Sequence, residues 1–398
     1  MAAGAALLSA MPFQAAAQTG ISPAPAIADD LLVTNFLHLV VGGSATRDSN
    51  LFKTPDATAE EYRTGYIGLR VNKLYSQQRF LVDVTRSTYN YNHLTYLNYK
   101  AWDYNAAWQW TLTPRLTGSI SADRKESQVP YFDYPGVERN IRISENQRVN
   151  LDGGLGYGLH LLLGAWRTTQ RSTVPFAAQA DYRITYGEAG LKYVVSPINT
   201  LSFIYRNGRG KYYHRDIDIN VDLDNGFRQR EYEVQHNAVL TGRSTLTGRL
   251  TALERRHDHF SQLDSSGWGG SVDYGWNTSG KLGISLRAQR NLVPSFDVNT
   301  THRVDRALSA TPIWQVTSRT TATLFLARTK TDYLGEGGAN ATGEQRQDHY
   351  SNIDFNLAWA STRYLSLTAG WQQLRRRSND QQFTFDARIA RVGASLTF

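Results

Sequence analysis

Side chains that could do chemistry are thinly scattered along this chain. His257, Asp258 and His259 set two imidazoles around a carboxylate, a pattern able to hold a transition metal, but no convincing third ligand accompanies them. Asp216, Asp218, Asp222 and Asp224 offer the hard oxygens that calcium prefers. They lack the glycine and closing glutamate of an EF-hand loop, so a solvated acidic loop is the simpler reading. Gly153-Gly154-Leu155-Gly156-Tyr157-Gly158 has the composition of a phosphate loop but joins two strand-like segments instead of opening a helix. No G-x-S-x-G elbow occurs, and with Cys 0 neither a disulfide nor a thiolate metal site can form. No catalytic residue, cofactor or metal is assigned, and the expectation is a protein that is not an enzyme.

Charge and aromatic residues are the informative features. Of 398 residues 12% are aromatic, with Tyr 22 the commonest, and the formal net charge is +8. Apart from Arg375-Arg376-Arg377, the cations do not cluster but alternate with apolar residues along the chain. That spread fits a long lined surface better than a nucleic-acid patch, so no nucleic-acid partner is expected. The longest interior apolar stretch, Gly158 to Trp166, is broken by His160 and falls far short of the roughly 18 to 20 residues of a spanning helix.

From Asn35 onward the period is two. Ala106, Trp108, Trp110 and Leu112 alternate with polar or small residues, as do Ile353, Phe355, Leu357 and Trp359. Successive side chains of a strand point to opposite faces, so each such segment has one apolar and one polar face. Short turn signals recur at Tyr75-Ser76, Pro114, Gly156-Tyr157-Gly158, Pro197, Gly242, Ser279-Gly280, Ser318 and Ser361-Thr362. Between them lie longer polar connections: 88–98, 127–142, 172–181, 212–227, 258–266, 291–302 and 331–347. Short turns at one end and long loops at the other are the pattern of a bacterial outer-membrane barrel. Eight turns join sixteen strands; one near 35–46 precedes them and one near 383–398 follows. The fold class predicted is therefore all-β, a transmembrane antiparallel up-and-down β-barrel of about 18 strands. A propeller repeats at a similar length, roughly 40 to 45 residues, but packs four strands into each blade where this chain has two.

The ends support export and assembly. Residues 1–17 form a partial signal peptide with an Ala15-x-Ala17 cleavage site, and the missing basic segment before it implies a natural start further upstream. Residues 18–34 are a periplasmic lead-in, and 35–398 are the barrel. Ala390, Val392, Ala394, Leu396 and Phe398 alternate to the last residue, as in the segment by which barrel-assembly machinery recognises its clients, which makes Phe398 the expected assembly signal. The expected location is the bacterial outer membrane, in contact with its lipid.

If the apolar set meets lipid, the other set lines the lumen. Strand parity places Arg70, Asp83, Arg148, Asp152, Lys192, Arg206, Glu231, Glu233, Arg249, Asp273, Arg287, Asp305 and Asp354 inside. An arginine at mid-strand on the lipid face would cost about 2 to 4 kcal/mol. These charges either pair across strands and solvate the lumen, or the cations Arg70, Arg148, Lys192, Arg206, Arg249 and Arg287 form a ladder that contacts an acidic polymer. A ring of 16 to 18 strands leaves an aqueous channel unless a loop folds inward. Tyr131, Phe132 and Tyr134, in mid-loop, are candidates for stacking on sugar rings; Tyr99, Trp102 and Tyr104 fit an interfacial girdle better.

Three runs carry a resemblance to a family. Arg47-Asp48-Ser49-Asn50-Leu51-Phe52, the segment Ala107 to Leu116 (AWQWTLTPRL) and the segment Leu253 to Gln262 (LERRHDHFSQ) look like the EpsL-type outer-membrane proteins, which accompany exosortase-linked extracellular polysaccharide gene clusters. The likeness extends over about 35–398. It implies a pore that exports extracellular polysaccharide, with that polymer and periplasmic polysaccharide-export components as partners. A general diffusion porin or a non-conducting polysaccharide anchor is the alternative, and an outer-membrane hydrolase a more distant one.

Overall fold

The alternating segments become strands that close on each other. The computed structural model describes residues 36–132, 136–218, 224–278, 280–294, 302–334 and 344–398. The signal segment, the lead-in, Tyr134 and Asp222 lie outside the described residues. Eighteen strands follow in chain order: β1 (Leu37–Asp48), β2 (Glu60–Tyr75), β3 (Gln78–Tyr91), β4 (Tyr99–Thr113), β5 (Leu116–Gln128) and β6 (Ile141–Gly156). Next come β7 (Leu159–Ser172), β8 (Tyr182–Ser196), β9 (Asn199–Tyr212), β10 (Gly226–Thr241), β11 (Ser244–His257) and β12 (Ser265–Asn277). The last six are β13 (Leu282–Pro294), β14 (His302–Thr317), β15 (Thr320–Leu334), β16 (Gln347–Ala360), β17 (Leu365–Ser378) and β18 (Phe385–Thr397).

Each strand pairs antiparallel with its sequence neighbours, and β1 pairs with β18 from Val40 opposite Thr397 to Asp48 opposite Ile389. The ring is closed. Lipid offers the backbone no hydrogen bonds, so closure is what lets every strand satisfy its peptide groups inside a membrane. The chain is an outer-membrane β-barrel.

All eight short connections fall on the predicted turn positions, from 76–77 between β2 and β3 to 361–364 between β16 and β17. At 157–158 the chain turns in two residues, with Tyr157 at φ 50° and Gly158 at φ 78°. Gly158 supplies that left-handed backbone without a Cβ penalty. The long connections share the other end, where 49–59 and 379–384 join the predicted set.

The outer face carries Leu159, Leu161 and Leu163 on β7, Leu201 and Phe203 on β9, and Ile353 and Phe355 on β16, all exposed. Tryptophans edge this band, Trp276, Trp314 and Trp359 toward the short turns and Trp102 and Trp268 toward the loops. The clusters of buried apolar residues lie at the loop-side mouth, inside the ring. Leu51, Phe52, Tyr91, Leu97 and Tyr131 form one cluster, and Ile184, Tyr186, Tyr212 and Phe227 another. Leu374, Phe385, Ala387 and Ile389 form a third. Phe227 packs where a Cβ on Gly210 of the neighbouring strand would stand, so that glycine makes room for the ring.

One long loop turns inward. In the connection between β5 and β6, Val129 and Tyr131 are buried, and Tyr131 meets Phe52 edge-on at 4.9 Å. Beside it, the Phe132 carbonyl accepts a hydrogen bond from Arg376 Nη1 of β17 at 3.0 Å. Five strands separate β5 from β17 around the ring, so this loop narrows the mouth.

Candidate functional site

Parity and register together build the lumen wall. Glu188 on β8, Arg206 on β9 and Glu231 on β10 are direct neighbours in the ladder and share the inward face. Arg206 is 4% exposed; its Nε donates to Glu188 at 2.6 Å, and its Nη1 and Nη2 donate to Glu233 at 3.1 and 3.2 Å. Arg206 and Arg148 both lie over the Trp166 ring, at 5.3 and 4.7 Å. Arg148 reaches Glu188 at 3.4 Å, and Arg249 reaches Glu233 at 3.6 Å. Nearer the mouth, Arg255 donates to Gln229, whose amide donates to the Tyr186 hydroxyl and to Glu231. Guanidinium forks suit such networks because they present several donors in one plane.

The rest of the wall follows the same rule. Arg70 pairs with Asp83 at 2.8 Å, Arg287 with Asp273 at 3.0 Å, and Lys192 with Asp152, which also takes His160 at 2.6 Å. Arg391 pairs with Asp354 at 2.5 Å. All six cations proposed as polymer contacts thus have a carboxylate partner. At these six positions the wall is polar and charge-compensated, whereas Arg255 has the neutral Gln229 as its partner.

No protein-family model matches the sequence, and no curated protein matches it. Solved structures do match by shape. The Pseudomonas aeruginosa protein OccK2 (OpdF), solved in complex with glucuronate, superposes with a TM-score of 0.52 at 12% identity, over 91% of this chain and 98% of that one. OccK11 (OpdR) of the same organism gives 0.50 at 13% identity, over 91% and 95%. OpdL gives 0.50 at 12%, over 91% and 98%. The fold is that of outer-membrane porins.

Several sequence expectations meet a different environment. Tyr131 is 8% exposed and packed in a cluster, so its ring offers no open face to a sugar. Phe132 leans on Tyr350. Both anchor the inward loop. Tyr99, expected in the girdle, shares the inward parity of Asp103 and stacks on Tyr89 at 4.3 Å, whereas Trp102 and Tyr104 face out. His257 and His259 do not converge. His257 lies beside Phe227, whereas His259 pairs with Asp224, and no metal-binding group is found among the described residues.

The loops are pinned by buried carboxylates that composition did not reveal. Asp224 accepts from the backbone of Gly226, His259 and Phe260 and from the His259 ring, which ties the start of β10 to the connection after β11. Burial opposes its ionisation, but these donors outweigh burial and hold its carboxyl below the usual aspartate range. Asp181 similarly accepts from Ser172 and His214, yet there burial prevails and raises its pKa. Glu188, Trp166 and Gln229 complete the wall network without any sequence motif to mark them. Glu188 shares the parity of Lys192 four residues later, so alternation alone would have placed it inside.

Proposed function

We propose that the barrel is an outer-membrane channel whose cargo is extracellular polysaccharide, moved without covalent chemistry. The observation that carries the channel reading is the separation of faces, with leucine and tryptophan outside and paired charges inside. A ring of this strand number is wide enough for water. Paired charges suit a hydrated polymer, because each pair offers hydroxyl groups both donors and acceptors without a net charge to hold them. Many weak contacts let a chain slide, where one tight site would stall it. The polysaccharide itself is supported by the likeness of the three runs, two of which lie at the mouth: the turn in which Lys53 pairs with Asp48, and the rim held by Asp224.

Purified barrel in planar bilayers should show a steady conductance that exopolysaccharide blocks. Arg249→Glu with Arg287→Glu should alter that block while the barrel still assembles. Small-solute passage that polymer does not block would replace export with diffusion. That second reading is favoured by the inward β5–β6 connection, which narrows the mouth. A barrel that conducts nothing would overturn both.

A further inference from the structure

Toward the loops, the outer wall of β8 to β11 changes from leucine to arginine. Arg209 stands directly opposite Arg228, and Arg228 directly opposite Arg256. Arg183 faces Lys211 in the next row. All have outward parity, and the side chains of Arg209, Arg228 and Arg256 are 73%, 68% and 65% exposed. Among the described residues, the carboxylates on this patch are Glu254, 2.5 Å from Arg256, and Asp258, 3.8 and 4.0 Å from Arg209 and Arg228. A groove of about 530 Å³ runs between Arg183, Arg209, Lys211 and Asp258. Like charges facing each other across adjacent strands destabilise a sheet. Asp258 is shared between Arg209 and Arg228, so two carboxylates serve three guanidiniums and offset only part of that cost; an anion lying across the row would offset the rest.

The height of the row identifies the anion. Arg209 is ten residues above Asn199, at the foot of β9; for a tilted strand that is a rise of about 25 Å, the height of the apolar band of such barrels. Tyr205 and Tyr232, with ring centroids 5.1 Å apart, lie just below, where interfacial aromatics belong. The pattern recurs on another arc. Arg290, Arg306, Lys330, His349 and Arg377 stand opposite one another in turn from β13 to β17, and Lys330 is ten residues above Thr320. A protein partner would cover one arc, whereas lipid headgroups surround a barrel on every side. We propose that this outer wall is a binding site for phosphate groups of anionic lipid in the outer leaflet, with Arg209, Arg228 and Arg256 as its principal contacts. The site needs only the barrel and its orientation, not the channel reading.

The test is native mass spectrometry of the detergent-solubilised full chain titrated with bisphosphorylated lipid A. The triple variant Arg209→Gln, Arg228→Gln, Arg256→Gln should bind about a hundredfold more weakly, at about fivefold per cation. Dephosphorylated lipid A should bind the unaltered chain as weakly as the variant binds the phosphorylated form, and inorganic phosphate should not compete at equal concentration. Channel conductance should be unchanged, because all three side chains point away from the lumen. If the triple variant fails to assemble, Arg228→Gln alone should lose about fivefold. Equal lipid A binding by variant and unaltered chain would overturn the proposal. So would competition by inorganic phosphate, or tighter binding of dextran sulfate than of lipid A, which would make the groove a site for a free anion or for acidic polymer.

Discussion

Phe132, in the connection after β5, meets Tyr350 of β16 edge-on with ring centroids 5.8 Å apart. Six strands stand between β5 and β16 around the ring, and Arg376 seals the contact by donating both to the Phe132 carbonyl and to the Tyr350 hydroxyl, at 3.0 and 2.8 Å. Arg376 is 2% exposed, with its guanidinium over Phe385. Arg376→Ala should therefore cost about 1.5 to 3 kcal/mol through its charge-assisted bonds. Combined with Phe132→Ala it should free the loop and raise single-channel conductance. Unchanged conductance would place the narrowest point elsewhere.

Arg206 is held by Glu188, Glu231 and Glu233 on a wall where it and Glu233 are each 4% exposed. Arg206→Ala would strand buried carboxylates and should cost about 3 to 5 kcal/mol, read by urea unfolding in detergent or vesicles. Arg70, with its side chain 37% exposed, should lose no more than about 1 kcal/mol when cut to alanine. Equal costs at the two sites would show that burial does not set the strength of these pairs.

Asp224 makes the loop end sensitive to acid. Its carboxyl ionises below the usual aspartate value of 3.8, so the charged form is favoured in the folded chain. The stability it lends is complete above that value and is lost as pH falls through the lower, folded one. Hydrogen exchange at His259 and Phe260 should stay slow from neutral pH down to 3.8 and quicken below it. Asp224→Asn should show fast exchange already at neutral pH. A variant with unaltered protection would remove Asp224 from that role.

Phe398 sits at the seam. Its backbone N–H donates to the Leu39 carbonyl at 2.9 Å, its own carbonyl accepts from Leu39 at 3.1 Å, and its ring stacks on Tyr364 with centroids 6.3 Å apart. Deleting it should remove the last pair of bonds between β18 and β1 and slow barrel assembly, followed by the heat-dependent shift of the folded band on gels. Phe398→Ala keeps the backbone pair, so it separates ring recognition from closure.

The amino-acid order by itself determined the strands, their number and, with Tyr99 an exception, the face each side chain takes. Period two is a local property, and a residue such as Lys192 or Leu191 declares its face through its immediate neighbours. The turns at 76–77 and 157–158 are equally local. Which charge meets which was not written there. Arg206 lies 18 residues from Glu188 and 27 from Glu233, and only the hydrogen-bonded register of three strands sets them side by side. The same register aligns Arg209, Arg228 and Arg256 on the outside, where alternation showed three unrelated arginines. The inward loop is the extreme case: Phe132 finds Tyr350 only because eighteen strands closed into a ring, which brings distant mouth residues within reach of a short connection.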